Sequence, residues 1–222
     1  MQPVCREMAG ILLAGGSAKR LASVLQATDG GKASLVFQGR TFLEHVVGAV
    51  ATEVAELIVV SAPGQRLPAL DGVRIVNDAT PGAGPLAGIR DGLRAAWPVD
   101  RTDAPSPGLA FVASCDLPLL RREVVRYLIA VAEESYALWT VPVVHGHRQV
   151  LVSVMRFDLL PRIDAWLATG RRDLRGLLAE IAHTDPTGIR EVTEQELAAY
   201  DPALVSFVDI DTPEDLARLQ SR

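Results

Sequence analysis

Gly10-Ile11-Leu12-Leu13-Ala14-Gly15-Gly16-Ser17-Ala18-Lys19-Arg20 is the stretch that decides how this chain folds. The apolar run Gly10 to Leu13 is too short for a buried helix and has the length and composition of a buried strand. Adjacent glycines end it, and without Cβ atoms they let the backbone come close to a ligand. Successive amides in such a turn can point into one concavity and hold an anion. Lys19, Arg20 and, further on, Lys32 add positive charge at the same mouth. On spacing alone, an ordinary strand-to-helix turn with solvated cations stays open.

Outward from this turn, short apolar runs alternate with longer helical patterns, which is the mark of an α/β chain. Thr41-Phe42-Leu43-Glu44 is a capping box that opens a helix through Val46, Val47 and Val50. Leu57 to Val60 and Val73 to Val76 read as strands, and Leu86 to Trp97 as a helix. Pro98 to Gly108 reads as a solvated loop, and Leu109 to Ala113 as a buried strand that ends at Ser114-Cys115-Asp116. A helix is expected from about Arg121 to Glu133. Apolar runs follow over Ala137 to Val144 and Val150 to Met155, with His145-Gly146-His147 turning between them. Helices are expected over Asp158 to Ala168 and Asp173 to Ile181. The chain then closes with a strand, Val205 to Asp209, and a helix, Thr212 to Gln220, with Thr212 as N-cap and Pro213 at its first position. One domain, 1–222, is expected, with its site at the carboxyl ends of the strands.

The 222 residues are 49% apolar and 22% charged, the balance of an ordinary globular chain. Lys plus Arg number 22 against 27 Asp plus Glu, a formal charge of −5, which argues against nucleic acid or an anionic membrane as partner. There is no apolar run of membrane-spanning length and no signal pattern at the start. Two cysteines, Cys5 and Cys115, make neither a disulfide framework nor a four-ligand zinc site. A cytoplasmic location is expected.

Two phosphate motifs fail. The glycine-x-glycine-x-x-glycine pattern is absent at the first turn, and Gly82, Gly84 and Gly88 are spaced one residue too far apart. The P-loop fails at Gly31-Lys32, because Gln26 stands where the first glycine belongs and Ala33 replaces the hydroxyl. Two other segments bear on chemistry. Asp116, after the strongest apolar strand, suits Mg²⁺, which is usually held by one or two carboxylates, waters and phosphates; helix capping by Asp116 is the open alternative. Pro81 to Ile89, preceded by Asn77-Asp78, places glycine-rich backbone at a helix start, suited to a base or ribose or simply to a tight connection. His145 and His147 read as an exposed turn, Cys115 as a structural thiol, and His45 as a packed or solvated helix residue.

Taken together, Leu13-Ala14-Gly15-Gly16 with Arg20 and Lys32, Gly84-Pro85-Leu86-Ala87-Gly88, Cys115-Asp116-Leu117-Pro118 and Asp211-Thr212-Pro213-Glu214-Asp215-Leu216 resemble, in the same order, the molybdenum cofactor guanylyltransferases. Gly146-His147-Arg148-Gln149 resembles the segment those enzymes use near the acceptor pterin. The resemblance runs from about Gly10 to Leu219. It implies a Rossmann-like three-layer nucleotidyltransferase fold with a mostly parallel sheet. It also implies transfer of GMP from GTP to the phosphate of molybdopterin, with Mg²⁺ as cofactor and pyrophosphate released. By the same resemblance, Leu13, Ala14, Gly15 and Gly16 contact the nucleotide, Arg20 and Lys32 its phosphates, and Ser61 and Asp78 the base or ribose. Asp116 is implied to bind nucleotide and metal. A monomer or weak homo-oligomer is expected. The family's Met-Gly after the arginine is Leu21-Ala22 here, and Ser23 to Gly31 separate it from the lysine. A lid over Leu21 to Gly31 is therefore expected. A cytidylyltransferase, a sugar-phosphate nucleotidyltransferase and a non-catalytic nucleotide-binding protein remain the alternatives.

Overall fold

The computed structural model describes residues 8–15, 30–97 and 108–220. Gly16, Arg20 and residues 21–29 of the expected lid lie outside the described residues, as does most of the loop expected at Pro98 to Gly108.

In chain order the strands and helices begin with β1 (Met8–Leu13), β2 (Val36–Phe37), β3 (Arg40–Thr41), α1 (Phe42–Val50), β4 (Glu56–Ser61), β5 (Val73–Asn77), α2 (Pro85–Ala96) and β6 (Leu109–Ser114). They continue with α3 (Arg122–Glu134), β7 (Trp139–Val144), β8 (His147–Arg148), β9 (Val152–Arg156), α4 (Leu160–Ala168), α5 (Leu174–Thr184), β10 (Ile189–Val192), α6 (Glu194–Leu197) and α7 (Pro213–Gln220). The main sheet has the order β10-β7-β9-β6-β1-β4-β5. Its β6-β1-β4-β5 half is wholly parallel, and β9 runs antiparallel to both β6 and β7.

Both faces of the central strands β1, β4 and β6 are covered, which is why they read as continuous apolar runs rather than alternating ones. Leu12, Val59, Phe111 and Ala113 point to one face, where they pack with Leu43 and Val46 of α1 and Val124 and Leu128 of α3. Ile11, Leu13, Ile58, Val60 and Val112 point to the other, against Leu86, Ile89 and Leu93 of α2 and residues of α4 and α5. The helix α2 lies close to the sheet because Gly88 and Gly92 face it. A Cβ on Gly92 would stand 2.5 Å from Ile11 Cγ2. A third, smaller cluster joins Phe37 and Phe42 to Ile210, Leu216 and Leu219, fastening α7 to the hairpin that precedes α1.

The capping box at Thr41 forms as expected. The Glu44 amide donates to Thr41 Oγ1 at 3.2 Å, and the Thr41 amide donates back to the Glu44 carboxylate. That backbone bond holds the Glu44 carboxyl below its ordinary range. At the C-terminal helix, Thr212 is reciprocally bonded with Asp215, whose amide donates to Thr212 Oγ1 at 3.2 Å.

One expectation needs correction, and one open alternative falls. Val205 to Asp209 is not a strand; Val205–Phe207 is a turn of 3-10 helix. Leu204 ahead of it is left-handed (φ 50°), and the buried Asp201 carboxylate accepts the Ser206 amide at 2.8 Å, so local bonds close the turn before any ladder can form. Asp116 does not cap a helix. The helix after it starts only at Arg122, and the Asp116 side chain turns to Lys32 instead.

Candidate active site

The parallel half of the sheet brings four chain segments to one edge. Leu13 is in register with Val60 on one side and Ser114 on the other, and Ser61 is in register with Asn77. Asp116, Ala14-Gly15, Ser61 and Asp78 therefore leave the sheet along the same edge, each at or just beyond the end of its strand. From β6 to β5 is three strand spacings, about 14 Å at the usual separation. Such a row can lay out an extended ligand, with one chemistry at each end.

At the β6 end, the Cys115 amide donates to the Leu13 carbonyl at 3.0 Å, and the Asp116 carbonyl accepts the Ile210 amide at 3.0 Å. Asp116 is thus tied by main chain to β1 and to the segment entering α7. Its carboxylate accepts a hydrogen bond from Lys32 Nζ at 2.9 Å. The same ammonium donates to Asp211. Lys32 rides on a short 3-10 turn, Gly31–Ser34, entered through Gly31 at φ 61°. Burial lowers the Lys32 pKa, but the Asp116 and Asp211 carboxylates outweigh it and hold the ammonium above its ordinary value. Asp209 stands in the same field. Burial, then the charges of Asp211 and Asp116, push its carboxyl up. Two carboxylates around one cation, with a third nearby, form a compact charged centre at the strand ends.

Cys115 beside it is buried, and desolvation followed by the Asp116 charge pushes its thiol up to about 12, so it is no nucleophile.

At the β5 end, the Asp78 amide donates to the Ser61 carbonyl at 2.8 Å, and Asp78 Oδ1 accepts the Thr80 amide at 2.8 Å. Ser61 Oγ lies 3.4 Å from Asn77 Oδ1. Buried Asp91 of α2 accepts the Ala79 amide at 2.8 Å, fixing the turn that carries Asp78. In the centre, the Gly15 amide is spent on the Val60 carbonyl at 3.3 Å, and a Cβ there would come within 3.2 Å of the Ala62 amide nitrogen. Close approach of two backbones explains the glycine at this position.

The structure thus brings Lys32 and Asp116 into contact and lines up Leu13, Ala14, Gly15, Ser61 and Asp78 along the edge. Four participants were not assigned to the site from sequence, among them Asp209, which read as the end of a strand. Asp211 stood in a segment noted for its motif and its helix cap, and an acid immediately before an N-cap was the available signal. Asp91 carried none, nor did Gln65, whose side chain donates to the Ala14 and Gly30 carbonyls beside the site. His145 and His147 lie on the exposed β7–β8 turn, with His145 at φ 51° and Gly146 at φ 73°. No group of three or more metal-ligating side chains stands out among the described residues. No helix among them is long and apolar enough to cross a membrane.

A doubly covered, mostly parallel sheet with a glycine turn, a lysine and acids at its strand ends defines a nucleotide-handling α/β protein. The chain belongs to the family of MobA-like NTP transferase domains, which matches residues 10–186. It is 36% identical over 172 residues to a probable molybdenum cofactor guanylyltransferase of Mycobacterium avium, covering 78% of this chain and 81% of that one. Among solved structures, molybdopterin-guanine dinucleotide biosynthesis protein A from Archaeoglobus fulgidus superposes with a TM-score of 0.74 at 21% identity, covering 96% and 97% of the two chains. Rv0371c from Mycobacterium tuberculosis, in complex with manganese, superposes at 0.62 with 16% identity, covering 97% and 98%.

Proposed function

We propose that this chain is a molybdenum cofactor guanylyltransferase, moving GMP from GTP to the terminal phosphate of molybdopterin and releasing pyrophosphate. The observation that carries this reading is Lys32 gathered with Asp116 and Asp211 at the end of a strand row of nucleotide dimensions. Similarity to the mycobacterial relative supplies the substrates. The whole chain, 1–222, serves as one such domain, working in the cytoplasm where GTP is found.

In this reading the nucleotide lies along the strand ends with its base toward Ser61 and Asp78 and its phosphates toward Lys32. Guanine presents N–H donors that a carboxylate such as Asp78 or main-chain carbonyls can accept. Leu13, Ala14 and Gly15 lie beneath the nucleotide, and Gly16 and Arg20 take the nucleotide and phosphate roles that the resemblance implies. Lys32 turns from the carboxylates to the outer phosphate oxygens and stabilises the charge that develops as pyrophosphate departs. The acceptor phosphate is held for in-line approach to the α-phosphorus, so positioning contributes much of the effect.

The donor set fits a divalent ion. Asp116 and Asp211 already converge on one cation, and hard carboxylate oxygens are what Mg²⁺ takes alongside water and phosphate. Asp116, with Asp211 beside it, would hold Mg²⁺. The ion would supply charge neutralisation on the phosphates.

Pyrophosphate release by the purified chain, with molybdopterin and each of the four ribonucleoside triphosphates in Mg²⁺, tests the reading. Release with GTP in preference to the others supports it. Preference for CTP replaces it with a cytidylyltransferase, and nucleotide binding without release makes the chain a binding protein. Thermal shifts with each nucleotide give base preference independently of the acceptor.

A further inference from the structure

The Gln65 side chain lies between two parts of the site that are distant in sequence. Its Nε2 donates to the Ala14 carbonyl at 2.9 Å and to the Gly30 carbonyl at 2.8 Å. Its Oε1 accepts the Ala62 amide at 3.0 Å. Both amide protons and the carbonyl are therefore engaged, each with main chain, and the head group has one orientation that satisfies all three. Ala14 directly follows β1, and Gly30 stands two residues before Lys32. One amide thus spans the glycine turn and the lysine turn.

The surroundings leave little slack. A Cβ on Gly30 would stand 1.7 Å from Ser34 Oγ and 2.6 Å from the Arg66 carbonyl oxygen, so this turn sits directly on the 62–66 segment. A Cβ on Gly15 would meet the Ala62 amide nitrogen at 3.2 Å. The segment after β4 is therefore the common floor of both turns, and Gln65 is its hydrogen-bonding contact with each.

We infer that Gln65 is a positioning residue that fixes the Lys32 turn against the Ala14–Gly15 turn and thereby places the Lys32 ammonium for the outer phosphates of the nucleotide. This rests on the assignment of Lys32 to the triphosphate made above. Gln65 acts through Lys32 and the backbone; the ligand itself is held by others. No other amino acid supplies two N–H donors and one acceptor at this reach. Glutamate would place a carboxylate oxygen against two carbonyls, and asparagine is shorter by a methylene.

Two variants and two readouts test it. Gln65→Met keeps the length and removes the hydrogen bonds; Gln65→Ala removes both. In either, amide hydrogen exchange over residues 30–35 speeds up without nucleotide. GTP affinity falls by roughly ten- to a hundredfold, as expected when the two of its three hydrogen bonds that link the turns are lost, while GMP affinity changes much less. In a cycle with Lys32→Ala, the double variant binds GTP no more weakly than Lys32→Ala alone. Unchanged exchange over 30–35 in the folded Gln65→Met chain overturns the inference, as do equal losses for GTP and GMP or additive losses in the cycle. If the unsubstituted chain binds no GTP, the proposed function is what fails, and exchange alone then decides whether Gln65 anchors the lysine turn.

Discussion

Lys32 Nζ and Asp116 Oδ2 are 2.9 Å apart across 84 residues of sequence, and both side chains are largely buried. With Asp211 on the same ammonium and Asp209 close by, Lys32 is a cation shared by several acids of one site. Lys32→Ala leaves those carboxylates facing one another. The free chain should lose about 1–2 kcal/mol at pH 7. The folded pKa of Lys32 lies above its ordinary 10.5, so the stability it contributes is whole below that pH and is lost only as pH rises through the folded value. Triphosphate binding should weaken more than monophosphate binding, because a lysine acts on phosphate as a point charge. Calorimetric titration with GTP and GMP reads the difference, and equal losses would place Lys32 away from the outer phosphates.

Asp116→Asn keeps the size of the side chain and removes its charge. The main-chain bonds of this segment, to Leu13 and Ile210, do not use the carboxylate, so the fold should survive. Mg²⁺-dependent pyrophosphate release should fall by roughly a hundredfold or more. A folded variant with near-normal turnover would remove Asp116 from the chemistry.

Gly92→Ala tests the packing that carries the site. The new methyl would meet Ile11 Cγ2 at 2.5 Å and Val60 Cγ2 at 3.2 Å, pushing α2 off the strands whose ends form the central row. Alanine's better helix propensity offsets at most about 1 kcal/mol. Against an overpacking cost of about 1–3 kcal/mol, a net loss is expected. The urea midpoint should drop with an unchanged slope; a variant as stable as the parent would show that the helix shifts freely.

Glu196 gives a pH signature away from the site. Burial raises its pKa, but the Thr193 amide and the Arg190 guanidinium dominate and bring it to about 2 from 4.5. A lowered acid pKa contributes stability above the unfolded value that is lost as pH falls through the folded one, here between 4.5 and about 2. Because the pair is partly exposed, solvent screening holds that contribution to about 1 kcal/mol. Glu196→Gln should therefore be less stable than the parent at pH 7 and match it near the acid end of that window. A gap that persists unchanged through the window would assign the effect to packing.

By itself the sequence determined those parts of this protein whose physics is local. The run Gly10 to Leu13 with its glycines, the Thr41–Glu44 box, the strand into Asp116 and the Thr212 cap each carry their own start or stop signal, and each stands where it was read. A local signal also put Asp116 just past a strand end, whereas Lys32 was singled out by its charge and by the resemblance, and it stands on a 3-10 turn. β10 went unread because Ile189–Val192 is a short edge strand whose partner is fifty residues earlier. Val205 to Asp209 misled because its apolar run folds as a turn that buries Phe207 and leaves Val208 exposed, with Asp201 accepting the Ser206 amide in place of a ladder bond. Only the tertiary structure decided that Asp211 meets Lys32, since that contact depends on α7 packing its Leu216 and Leu219 against Phe37 and Phe42. It alone decided that Gln65 joins the two turns. A side-chain amide has no periodicity to read, and its three partners come together only when β1, β4 and the lysine turn have been stacked on one core.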